Sequence, residues 1–193
     1  MADRAPAIPG GMIAVLARLR VALGFVMGAL VLVLAQPSRR SLFAGMLVAV
    51  IGEALRVWAA GHLHKSREVT ASGPYRWIPH PLYVGSSIMG LGLAISCRSV
   101  TVAVVIAVYL ATTLTAAVKS EEAFLRRTFG AQYDLYRQGV VAQRSQASAR
   151  RFSVAQAMAN REYRAVAGLL IAMLLLALRA SYNGAFWQAA GTK

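Results

Sequence analysis

Acidic residues are scarce in this chain: seven Asp and Glu stand against 21 Lys and Arg in 193 residues. The single cysteine, Cys97, excludes an intrachain disulfide and any Cys-x-x-Cys metal or redox site. It reads instead as a small apolar residue at a helix end. Charge is sparse as well, at 15% of residues, and the basic side chains form no long run on a soluble domain, which argues against nucleic acid as a partner. What abounds is apolar. Hydrophobic residues make up 58% of the chain and the mean hydropathy is +0.54. Both lie above the range of soluble domains and point to an integral membrane protein.

Five apolar segments, marked by length and charged ends, predict an all-α architecture of about five transmembrane helices: Met12–Ala35, Leu42–Leu63, Leu82–Cys97, Val100–Val118 and Tyr163–Ala180. The third is short for a full span. The start, with Arg18 and Arg20 before the run Val21–Ala35, has the look of a signal peptide; we read it as a first membrane helix. Beyond the fourth segment, Phe129, Tyr133, Tyr136 and Val140 recur at helical spacing, which predicts an amphipathic helix on the membrane surface. Residues 139–160 read as a basic juxtamembrane loop followed by a short helix from Ser153, a good N-cap. The whole chain, 1–193, is expected to form one domain, with no internal repeat. Most Lys and Arg fall on the side that holds the N-terminus, residues 62–80 and residues 119–164, so both polar segments are expected to face the cytoplasm, as in a bacterial-type inner membrane.

Three features stand out against this apolar background. Glu53 and Arg56, at i and i+3 within the second segment, share a helix face and can pair; ionisable groups at membrane depth face a protein interior or a watery cavity. The stretch "GPYRWIPHPLYVG", Gly73 to Gly85, sets Pro79 and Pro81 around His80. A helix cannot run through it, because each proline removes a donor and disfavours helical geometry in the residue before it. Adjacent Glu121 and Glu122 repel one another at a membrane boundary unless they meet a cationic ligand or an arginine. Aromatic faces and paired carboxylates at the cytoplasmic edge suit an amphiphilic cationic ligand.

"GPYRWIPHPLYVG" followed by "EEAFLRRTFGAQYDLYRQGV" resembles the isoprenylcysteine carboxyl methyltransferase family and, more broadly, the integral-membrane methyltransferases that include phospholipid methyltransferases. The resemblance covers Gly73 to Val140. It implies S-adenosylmethionine as methyl donor, bound by Tyr75, His80, Pro81, Tyr83, Gly85, Glu121 and Glu122, with His80 fixing the loop or touching the cofactor rather than acting as a base. Where the family carries an arginine before His-Pro, this chain has Pro79, so Arg76 or Arg56 is the candidate to take over the catalytic contact. No metal is implied. The family's usual tail is replaced by "VVAQRSQASARRF" and the fifth apolar helix.

The acceptor implied is lipophilic and reaches the site from the membrane lipids, most simply as a prenylcysteine-type carboxylate. A phospholipid amine and a small thiol are the other acceptors considered. A nicotinamide-dependent membrane reductase and a non-catalytic membrane interaction protein are the readings of other classes.

Overall fold

The computed structural model describes residues 26–65, 69–138 and 151–184, whose regular structure is all helical, with no strand among them. Helix α1 covers the described residues 26–34; the rest of the first apolar segment lies outside the described residues. Helix α2 (Arg39–Ala60) starts on a reciprocal cap in which Ser38 and Ser41 bond each other's backbone amide, and it ends at Gly61. A single 3₁₀ turn (Gly73–Arg76) then leads to α3 (Pro81–Cys97). Pro81 is tolerated because it occupies the first helical position, where its missing N–H has no intrahelical partner to lose. After Ser99, whose hydroxyl caps the next helix, come α4 (Val100–Phe129), α5 (Ala131–Arg137), α6 (Val154–Ala159) and α7 (Tyr163–Tyr182).

Helices α2, α4 and α7 are long and apolar enough to cross a membrane, and α3 is a shorter apolar helix of 17 residues. The short helix expected from Ser153 is present as α6, capped by that hydroxyl. One boundary differs. The fourth segment does not stop at Val118 but runs on unbroken to Phe129, because "KSEEAFLRRT" holds strong helix formers and no proline or glycine. The break falls at Gly130, whose φ of 49° lies in the region that favours glycine. The expected surface helix is therefore divided: its first half prolongs α4, carrying Glu121 and Glu122, and its second half is α5. Val140 lies outside the described residues.

The tightest seam joins α2 to α3. Gly45 and Gly52 on one helix face Gly92 and Gly85 on the other, and the backbones touch where a side chain would otherwise stand. A Cβ at Gly52 would come within 2.6 Å of the Gly85 carbonyl oxygen. Such close approach is how membrane helices gain packing without a hydrophobic driving force between them. Gly52→Ala is expected to destabilise the protein by about 1–3 kcal/mol, the usual cost of overpacking; a variant in neutral detergent that melts with the parent would contradict the rigidity of this seam.

Helices α6 and α7 are bound to the same unit at both ends. Asn160 Nδ2 donates to the carbonyls of Ala60 and Leu63, each at 2.8 Å, and Gln156 Nε2 donates to Leu63 at 2.7 Å, which satisfies orphan carbonyls where α2 ends. At the other end Arg179 reaches the carbonyl of Val33 at 3.1 Å. α7 thus runs antiparallel to α2 along its length.

Candidate functional site

The two polar segments meet. Val69 and Ala71 pack with Tyr133 and Tyr136 of α5, and Leu125 and Phe129 of α4 lie against them. The Tyr136 hydroxyl donates to the backbone carbonyl of Tyr75 at 2.8 Å, tying α5 to the 3₁₀ turn across 61 residues of chain. Arg126 and Asp134, 3.8 Å apart, brace the two sides of the Gly130 break.

His80 is the hinge of this arrangement. It is the N-cap residue of α3, so its ring projects from the point where Pro79 and Pro81 fix the backbone. Its Nε2 lies 3.3 Å from Glu122 Oε1 and its Nδ1 lies 3.8 Å from Glu121 Oε2, so both carboxylates of α4 converge on one imidazole. The ring also packs on that of Tyr83, centroids 5.8 Å apart. Arg137 Nη1 sits 3.0 Å from Glu122 Oε1. The cation that paired glutamates require is thus partly supplied from within, on Glu122, by a residue the sequence did not single out.

Beside this cluster lies a cavity of about 470 Å³, within the range of small-molecule sites. Tyr75, Tyr83, Tyr133 and Tyr136 give it aromatic walls, Glu121 gives it a carboxylate, and Lys65 gives it a cation. Burial raises the pKa of Tyr75, Tyr133 and Tyr136, the last to about 12, so these phenols remain protonated donors at neutral pH. An aromatic-walled cavity with a carboxylate and a cation fits a nucleoside bearing a zwitterionic amino acid and a sulfonium.

Of the residues named from sequence, Tyr75, Tyr83 and Glu121 line the cavity, while His80 and Glu122 stand next to it through the contacts above. Pro81 starts α3, and Gly85 lies in the α2–α3 seam, where a Cβ would meet the Gly52 carbonyl at 2.7 Å. Arg76 is exposed on the 3₁₀ turn. Arg56 pairs with Glu53, as expected, with Nε 3.5 Å from Oε2. It also takes a second carboxylate, Glu162, at 2.7 Å, and bonds Ser86 Oγ and the Leu82 carbonyl in the first turns of α3. Glu162, immediately before the last apolar run, is a buried acid that residue spacing alone gave no reason to pair with Arg56.

Two curated proteins resemble part of the chain. A nickel-cobalt-cadmium resistance protein, NccN, of Alcaligenes xylosoxydans xylosoxydans is 34% identical over 90 residues, 46% of this chain and 42% of that protein. A cobalt-zinc-cadmium resistance protein, CzcN, of Cupriavidus metallidurans is 33% identical over 87 residues, 44% of this chain and 40% of that protein. The matched region spans about two fifths of each relative's length. No solved structure matches. The sequence pattern of phospholipid methyltransferases matches residues 19–132, which include α2, α3, α4 and the cluster of His80 with Glu121 and Glu122, and the chain belongs to that family of integral-membrane methyltransferases.

Proposed function

We propose that the protein transfers a methyl group from S-adenosylmethionine, held in the cavity beside His80, to a lipophilic acceptor, a prenylcysteine-type carboxylate. The observation that carries this reading is that both family motifs supply walls of one cavity: Tyr75 and Tyr83 come from the first, Glu121, Tyr133 and Tyr136 from the second. Bound there, S-adenosylmethionine supplies a methyl already activated by its sulfonium. The C–S bond breaks as a C–O bond forms, the electron pair stays on sulfur, and an ionised carboxylate has no proton to lose. The chain's own task is then alignment, worth orders of magnitude in rate. Tyr75 and Tyr83 present ring faces to the adenosine, Glu121 takes the ammonium, and His80, held between the two glutamates, fixes the first turn of α3. Arg56 and Arg76 act on turnover from outside the cavity wall, Arg56 by holding α3 in place. The excess of Lys and Arg in the segments around the site favours a cytoplasmic orientation. The family match favours a second acceptor, a phospholipid amine.

The test is a titration of purified protein with S-adenosylmethionine, beside a methyl-transfer assay with prenylated cysteine, phosphatidylethanolamine and a small thiol. His80→Ala and Tyr83→Ala are expected to weaken donor binding, while Arg76→Ala leaves it unchanged. Normal binding by both His80→Ala and Tyr83→Ala would reduce Pro79-His80-Pro81 to a structural turn.

A further inference from the structure

A second concavity lies on the other side of the α2–α3 seam, between α2 and α7. It encloses about 540 Å³ and is lined by Val50, Val57, Trp58, Leu169, Leu170 and, alone among its described lining residues in being charged, Glu53. It shares no described lining residue with the cavity beside His80. Glu53 is 7% exposed, and neither of its carboxylate oxygens accepts a hydrogen bond among the described residues. The arginine beside it does not complete it. Arg56 Nε stands at 3.5 Å, and the guanidinium is spent mainly on Glu162 at 2.7 Å, on Ser86 and on the Leu82 carbonyl. Two buried carboxylates thus share this one guanidinium, and Glu53 has the longer contact.

We propose that this groove is a binding site for a membrane-dissolved, single-chain amphiphile carrying a primary ammonium, its N–H groups on Glu53 and its chain along the apolar walls. Three features choose this ligand. A carboxylate buried at membrane depth that only shares its cation favours a second one. Glu53 Oε1, with no hydrogen-bond partner among the described residues, and Oε2, with only the 3.5 Å contact to Arg56, suit N–H donors, which a quaternary ammonium lacks and which form charge-assisted bonds. A phosphate-bearing head is disfavoured, because no basic side chain stands among the described lining residues and a carboxylate is the one charged group there. The site is separate from methyl transfer in the other cavity, but Arg56 spans from Glu53 to the first turns of α3, where Leu82 and Tyr83 enter that cavity.

The experiment measures binding to the full chain in neutral-detergent micelles by calorimetry, with dodecylamine, protonated at neutral pH, against dodecanol and dodecyltrimethylammonium. Dodecylammonium is expected to bind roughly tenfold or more tighter than either. Glu53→Gln should remove that advantage and leave dodecanol binding unchanged. Leu170→Trp, which fills the groove and leaves every residue of the ionic cluster in place, should weaken all three ligands and serves if Glu53→Gln does not fold. Equal binding of the three amphiphiles to the parent protein, as when another part of the chain already covers the groove, would overturn the proposal. So would undiminished dodecylammonium binding to Leu170→Trp.

Discussion

Glu121→Gln is expected to weaken S-adenosylmethionine binding by roughly 10- to 150-fold, the equivalent of losing one charge-assisted hydrogen bond of roughly 1.5–3 kcal/mol. The two adjacent glutamates are not equivalent. Glu121 lines the cavity and keeps a side chain 37% exposed, whereas Glu122 is tied to Arg137 at 3.0 Å and to His80 at 3.3 Å. Glu122→Gln should therefore weaken donor binding less, because the amide still accepts from the imidazole and only the pairing with Arg137 is diminished. Calorimetric titration of both variants decides the matter. A larger loss in Glu122→Gln than in Glu121→Gln would move the ammonium seat to the wrong carboxylate.

Arg56→Ala is expected to cost about 3–5 kcal/mol of stability, the usual penalty for removing one partner from a buried ionic cluster. Its loss would leave Glu53 and Glu162 facing each other, both buried, with no cation between them. It would also release the Leu82 carbonyl and Ser86, so turnover should fall even where the protein still folds. Arg56→Lys should recover part of the stability by keeping the charge, but not all of it, since one ammonium cannot serve two carboxylates and a carbonyl with the geometry of a planar fork. The measurement is the thermal midpoint of each variant in neutral detergent, read beside methyl transfer at a temperature where all are folded. An Arg56→Ala variant that melts with the parent would show that the two glutamates are held neutral without the guanidinium.

The sequence left the place of the last helix open, and the structure decides it. Tyr163–Tyr182 is predictable from its apolar length alone, but not its partner, because hydropathy carries no information about which helix lies beside which. The partner is set by Glu162 on Arg56, Asn160 and Gln156 on the end of α2, and Arg179 on the end of α1. Each is a polar contact between residues far apart in the chain. The same distinction separates Glu121 from Glu122, which are chemically identical in the sequence. Helical pitch turns them about 100° apart, and only the approach of α5 after Gly130 puts Arg137 on one of them.

By itself, the sequence determined the helical class, the positions of α2, α3, α6 and α7 to within a few residues, the Glu53–Arg56 pair and the methyltransferase family. All of these follow from local signals: apolar length, caps, i to i+3 spacing and two short motifs. Only the packing of the helices shows that the motifs share one cavity, that Arg56 answers to two carboxylates, and that a carboxylate of α2 lines a groove against α7. Such facts depend on crossing and rotation of helices. Those are fixed by glycine contacts between backbones and by hydrogen bonds across tens of residues, and no local pattern in the chain encodes them.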